Sequence, residues 1–425
     1  MSAMEWPLPP RPFDPATAAE IFAKLRAISY DGVGITRESY GESEQAAFDL
    51  VRSIAEAHGL RCETDAAANF SVILDGAAAE PSVLCGSHLD SVPHGGNFDG
   101  AAGVVAGLLC LCAMKNAGLV PHRTIRLIAF RGEESAWYGK ACLGSHALFG
   151  QLSRQDFDLQ NLHSGETLSN AMARRGADVE LLRRALPLIA PVQVAAYFEL
   201  HIEQGPVLVN LRQPFGIVSG IRGTLRHKSI VCRGEDGHSG TVPMGMRHDA
   251  AMAVADLLTR LERQWKRILR EGRDLVFTTG MVHTDSAENA ITRIPAEVVF
   301  SVDIRSLNEE TLDIFYRSML EEQSAVEAAR GVSFCLDRHC GSEPVRLDAH
   351  WIERLQALGR ALGHDAPVLP SGASHDAVQF ALAGIPTAMI FVRNENGSHN
   401  PREAMEIDDF ILAAELLYQA LLEAA

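Results

Sequence analysis

Four short segments put imidazoles and carboxylates at or just after the end of an apolar, strand-like run. They are Gly86-Ser87-His88-Leu89-Asp90, Phe130-Arg131-Gly132-Glu133-Glu134, Glu199-Leu200-His201-Ile202-Glu203-Gln204 and Asn396-Gly397-Ser398-His399-Asn400-Pro401. A fifth, Gly95-Gly96-Asn97-Phe98-Asp99-Gly100, opens a helix, where an anion is favoured. Taken singly, each has a plainer reading. His88 is a strand-end histidine, Glu133-Glu134 a solvated charge pair, His201 a half-buried strand residue, His399 a loop histidine, Asp99 a helix cap. As a set they are far less expected by chance. Binding sites of open α/β sheets form outside the carboxyl ends of the strands. Imidazole and carboxylate donors without thiolates suit zinc, manganese, cobalt or nickel. Five such donors suit two ions if one carboxylate bridges, and such a pair can clamp a hydrolytic water.

The elements that must position these residues are readable from pattern. Helices are predicted over Thr17–Arg26, Ser43–His58 (stopped by Gly59) and Gly100–Asn116, and strands over Pro81–Ser87, Thr124–Phe130, Ala195–Ile202 and Pro386–Val392. This alternation predicts an α/β sheet with helices on both faces. The rhythm changes between Arg212 and Cys340. There the order is strand Arg222–Cys232, helix Asp249–Arg270, strands Leu275–His283 and Ala296–Arg305, helix Glu309–Arg330 and strand Val332–Arg338. That β-α-β-β-α-β order predicts an inserted ferredoxin-like α+β domain over 212–340, splitting a catalytic domain into 1–211 and 341–425. The face Val254, Leu257, Leu258, Leu261, Trp265 and Ile268 of the long helix could cover its own sheet or a second copy. Residues 1–15 are Pro-rich and read as a surface-wrapping segment.

The chain has 425 residues, 47% of them hydrophobic and 22% charged, with a formal charge of −16. That composition excludes a disordered chain, a collagen-like repeat and a disulfide scaffold. The acidic balance makes nucleic acid a poor partner. No apolar run is long enough for a transmembrane helix, no secretory signal is visible, and a cytoplasmic location is expected. The eight cysteines lack C-x-x-C spacing and read as buried free thiols.

The run Gly86 to Val92 followed by Gly95 to Gly100 resembles the M20 metallopeptidase superfamily. His201-Ile202-Glu203-Gln204-Gly205-Pro206 and Gly237-His238-Ser239-Gly240-Thr241-Val242-Pro243-Met244 are similar to its amidase/hydantoinase/carbamoylase branch. The resemblance runs from about Tyr40 to Glu406. It implies a mixed-sheet dinuclear metallohydrolase domain with an inserted ferredoxin-like lid and dimerisation domain. It implies His88 and His201 on one metal, Glu134 and His399 on the second, and Asp99 as bridge. Glu133 would be the general base, taking a proton from a metal-bridging water. Asp90 would fix the tautomer of His88, or act as a plain turn residue. His238 would donate to the oxyanion from the partner subunit, implying a homodimer. A substrate carboxylate would fall to Arg305, Asn289 and Gln204, with Gly372, Ser374 and His375 in a substrate loop. Arg305 could instead pair with Asp303, Asn289 could be a turn residue, and His375 could be structural.

The implied reaction is hydrolysis of an N-carbamoyl-L-amino acid by an enzyme holding two divalent ions per subunit. Alternatives are an allantoate or ureidoglycolate-type amidohydrolase, a β-ureidopropionase, and an M20 peptidase or acyl-amino acid hydrolase. Three positions depart from the family pattern, one of them Ser135, which stands where glycine usually follows the paired glutamates. Trp137 stands where arginine is usual after the paired glutamates, and Ser374 where the substrate loop usually has glycine. Trp137 is expected either to offer an apolar or stacking face to substrate or to pack beneath its loop.

Overall fold

The structure is a computed structural model that describes residues 12–425; most of the Pro-rich start lies outside the described residues. The chain divides into two compact units, one of Gly220–Arg346 and one of the residues before and after it.

The larger unit is built on a mixed sheet. Its strands run in the order Arg61–Thr64, Phe70–Leu74, Arg123–Phe130, Ala78–His88, Val194–Ile202, Thr387–Val392 and Phe215–Ile221. The central four, from Arg123–Phe130 to Thr387–Val392, are mutually parallel, and antiparallel strands flank them. Period-2 alternation sorts each central strand onto two buried faces. Val83, Cys85, Ile125, Leu127, Ala196, Phe198, Leu200, Ala388 and Ile390 join the main core. Tyr197 points the other way and stacks on Phe380 of the helix Ala377–Leu382, with ring centroids 3.8 Å apart. The helices Ala101–Asn116 and Ile407–Ala424 cover the first face. Helix Ala101–Asn116 is buried on nearly every side, as its unbroken apolar sequence requires. It lies so near the sheet that a Cβ at Gly103 would stand 2.2 Å from the Leu200 carbonyl oxygen.

In the smaller unit the strands Val282–His283, Glu297–Ser306, Gly223–Arg233 and Ser333–Cys335 lie side by side, all antiparallel. Helices Ala250–Arg270 and Glu309–Arg330 pack on them, capped by Asp249 and Asn308. Val254, Leu257, Leu261 and Ile268 are buried in this unit's own core, with Leu258 and Trp265 packed against it.

Three expectations are corrected here. Leu275–His283 is not one strand. It breaks into Val276–Thr278 and Val282–His283, and between them, beside Gly280, the Met281 N–H turns to the Ser301 hydroxyl. The strand expected over Val332–Arg338 stops at Cys335. Asp337 leaves the ladder because its carboxylate accepts from the Lys228 and Ser229 N–H groups and pairs with His227. The cysteines are all free, but not all buried. Cys335 and Cys340 are exposed and Cys62 half-buried; on the strand Ser333–Cys335 it is Phe334 that takes the inward position. Among the described residues no helix is long and apolar enough to cross a membrane.

Candidate metal centre

His88 ends the strand Ala78–His88 and His201 lies at the end of its neighbour Val194–Ile202, so both imidazoles leave the same edge of the sheet. Their rings are 5.8 Å apart. Each ring is oriented by its Nδ1. That of His88 faces the Asp90 backbone carbonyl at 3.1 Å and its carboxylate at 3.3 Å; that of His201 faces the Ile202 carbonyl at 2.9 Å. With Nδ1 turned to a backbone carbonyl, each Nε2 is the ring atom that faces the site, directed at Asp99 at 3.7 and 3.1 Å.

Asp99 precedes the helix Ala101–Asn116 but does not cap it. The cap residue is Gly100, with φ of 63°, and no side chain bonds the helix start. A Cβ at Gly100 would stand 2.4 Å from the His88 ring, so glycine is required both by the backbone and by the histidine. The second Asp99 oxygen, Oδ2, faces His399 Nε2 at 3.4 Å, and His399 in turn faces Glu134 at 3.5 Å. Ligand-type atoms of His88, Asp99 and His201 therefore lie within 4.8 Å of one another, as do those of Asp99, Glu134 and His399, the two sets sharing Asp99.

Asp90 is buried and holds the paired glutamates. Its two oxygens accept the Glu133 and Glu134 N–H groups, each at 3.0 Å, and the Ser39 hydroxyl at 2.6 Å. Glu133 stands beside the two sets, 3.8 Å from His88 Nε2, and accepts from the Cys142 thiol at 3.3 Å.

The carboxylates of this site are crowded and buried. Burial first, then the neighbouring Asp99 charge, pushes both Glu134 and Glu403 up to about 7. Glu133 is also raised, by burial and by Glu134. Burial opposes ionisation of Asp99 as well, but hydrogen bonds from His201 and His399 hold it well below the usual carboxylate range. Crowded buried carboxylates facing imidazole nitrogens form a donor set that fits divalent ions.

The remaining expected residues lie as follows. Gln204, in a left-handed conformation (φ 62°), donates from Nε2 to Asp99 at 2.8 Å, while its Oε1 is buried without a partner. His375 is buried, its Nε2 on the Ser371 hydroxyl at 2.8 Å and its ring 4.5 Å from that of His201. Gly372 and Ser374 are exposed. His238, Asn289 and Arg305 belong to the smaller unit. His238 is exposed, and its Nδ1 accepts from the Gly240 N–H, which leaves the proton on Nε2. Asn289 donates to the Asp285 carbonyl and lines a cavity of about 620 Å³. Arg305 grips Asp303 with two prongs of 2.9 and 2.8 Å.

For Trp137 the structure takes the second of the two expected readings. Trp137 is 4% exposed, in a satellite core with Tyr40 and Leu143, and its Nε1–H donates to the Ser91 carbonyl at 2.8 Å. It packs beneath the loop and offers no face to a substrate. Sequence reasoning missed Ser398 and Glu403. The Ser398 hydroxyl touches both Asp99 and Glu403, and Glu403 accepts the Phe98 and Asp99 N–H groups at 2.8 and 3.3 Å. Proximity of Ser398 to His399 was a usable signal; Glu403 carried none.

Residues 84–423 match the model of peptidase family M20/M25/M40. An N-carbamoyl-L-amino acid amidohydrolase of Geobacillus stearothermophilus is 35% identical over 92% of this chain and 94% of its own. The allantoate amidohydrolase of Escherichia coli is 31% identical over 91% and 93%. A crystal structure of a hydantoinase/carbamoylase family amidase from Burkholderia multivorans superposes with a TM-score of 0.88 at 26% identity, covering 97% and 98%.

Proposed function

The chain belongs to peptidase family M20/M25/M40, and from that premise we propose that it is a metal-dependent amidohydrolase of N-carbamoyl-L-amino acids. The observation that carries this reading is the pair of ligand sets sharing Asp99, with Glu133 beside them, in a chain so similar to a carbamoyl amidohydrolase. His88 and His201 would hold one divalent ion, Glu134 and His399 a second, with Asp99 common to both. Zinc, manganese, cobalt and nickel all suit these donors. When bound, such ions supply Lewis acidity and lower the pKa of water.

The chain's own groups do the rest. Asp90 fixes His88 and, through two backbone N–H groups, the placement of Glu133 and Glu134. Glu133 takes the proton of the attacking water and returns it to the leaving nitrogen. The products are the amino acid and carbamate, which decays to carbon dioxide and ammonia. His238, protonated on Nε2, is assigned the oxyanion, acting across a homodimer built through the ferredoxin-like unit, which would serve as lid and dimerisation domain. Arg305 would exchange Asp303 for the substrate carboxylate, helped by Asn289, Gln204 and the 372–375 loop. A cytoplasmic location fits this role.

An ammonia-release screen of the metal-reconstituted protein tests the reading. The panel holds N-carbamoyl-α-amino acids, N-carbamoyl-β-alanine and allantoate, with N-acetyl amino acids followed by amine release. Preference for allantoate would establish the second reading, which similarity to the allantoate amidohydrolase favours. Glu133→Gln should keep its metal and lose about 10²–10⁴ in rate; full activity with metal bound would refute the assigned base.

A further inference from the structure

We propose that Arg37 is a positioning residue for the metal centre, the buried cation that locks the loop from His88 to Asp99 into ligand geometry. The proposal rests on the reading of that centre as a metal site. Arg37 is wholly buried, yet among the described residues no carboxylate pairs with it directly. Its contacts go instead to the loop and its supports. Nε donates to the Leu89 carbonyl, one residue past His88. Nη1 donates to the Ser29 hydroxyl at 3.1 Å and reaches Asn97 Oδ1 at 3.5 Å, two residues before Asp99. The Arg37 backbone completes the grip, its N–H on the Ser91 hydroxyl and its carbonyl taking the Ser91 N–H, both at 2.9 Å. Asn97 is itself tied down by Nδ2 on the Phe22 carbonyl at 2.9 Å. One side chain thus fastens both ends of a loop whose termini are His88 and Asp99.

The charge matters as well as the fork. Burial lowers the guanidinium to about 10, and the carboxylates of Glu403, Asp90, Asp99 and Glu44 oppose that fall. It therefore stays charged at neutral pH. A buried guanidinium bonded to carbonyls and hydroxyls keeps its positive potential available to the carboxylates around it. A lysine keeps the charge but lacks the planar fork that reaches Leu89, Ser29 and Asn97 together.

The test compares metal-free wild type, Arg37→Lys, Arg37→Met and, as a matched core defect, Leu355→Ala. Leu355 is buried in the main core on the helix Ala349–Ala361. Zinc affinity is measured by chelator competition well below each variant's melting temperature, and the cobalt absorption spectrum reports ligand geometry. Arg37→Met should bind zinc about 10–100-fold more weakly with an altered cobalt spectrum, and Arg37→Lys should fall between. Leu355→Ala should melt earlier and bind as wild type. Wild-type affinity in folded Arg37→Met, or an equal loss in Leu355→Ala, overturns the proposal. Should Arg37→Met not fold, Arg37→Lys decides alone, and wild-type affinity and spectrum there overturn it. A wild type that binds no divalent ion refutes the metal reading, and this proposal falls with it; a wild type that binds while Arg37 is indifferent refutes the proposal alone.

Discussion

Gly100→Ala separates steric support of the metal centre from mere stability. The new Cβ would lie 2.4 Å from His88 atoms, against the roughly 3.5–4.0 Å that carbon contacts require. The ring must therefore move by about 1 Å, or the Asp99–Gly100 turn must open by as much. Either displacement carries a donor atom outside the tolerance of about 0.2 Å expected of a metal bond. The backbone adds its own cost, since φ is 63° and alanine there loses about 1–2 kcal/mol. Gly118 provides the control. It has φ of 67° with nothing within 4 Å of where a Cβ would stand, so Gly118→Ala bears the backbone term without the steric one. Both variants should melt a few degrees early, about 2–4 °C per kcal/mol for a domain of this size. Only Gly100→Ala should lose zinc affinity, by about 100-fold or more, judged against the 10–100-fold that loss of a supporting partner costs. Zinc content after gel filtration and chelator competition read this directly. Wild-type affinity in Gly100→Ala, or an equal loss in Gly118→Ala, would refute the reasoning.

Trp137→Phe removes the indole N–H and strands the Ser91 carbonyl, so it should lower stability by about 1–3 kcal/mol in denaturant melts while leaving relative rates across aliphatic and aromatic substrates unchanged. A changed substrate ranking would return Trp137 to the substrate pocket. Asp376 is pushed up to about 8, first by burial and then by Glu199, from an ordinary value of 3.8. Between those values the folded protein holds a proton that the unfolded chain has lost, so this group's contribution to stability falls as pH rises through 8. Metal-free Asp376→Asn should match wild type near pH 4 and gain on it steadily towards pH 8, followed by thermal melts; parallel pH profiles would refute the assignment.

Local pattern was enough for the central strands. Alternation put Phe198, Leu200 and Ile202 on one face and left Glu199 and His201 on the other, and the residue types at the strand exits announced their chemistry. Where competing hydrogen bonds decide, pattern failed. Asp337 ends its strand because three donors compete with the ladder for it, and Met281 turns to Ser301 beside a glycine. Arg37 and Glu403 were invisible for a different reason. Arg37 meets Asn97 from 60 positions away and Glu403 meets Asp99 from 304, and neither local sequence carries a period or a motif that names its partner. The two readings of Trp137 stayed open because nearness to Glu134 in sequence does not fix nearness in space. The helix Ser135–Tyr138 turns its indole into a core instead.

The shared Asp99 also sets an order of events during synthesis. His88, Asp99, Glu133 and Glu134 leave the ribosome early, but His399 follows only after the whole Gly220–Arg346 unit and the central strand Thr387–Val392. At about 5–20 residues per second, roughly 15–60 s separate the first histidine from the last. Through that interval the sheet lacks a middle strand and the carboxylates lack at least one of the three imidazoles. The five candidate ligands can meet only after position 399 is available, so ion capture by the proposed full set is a late event, downstream of synthesis of the inserted unit.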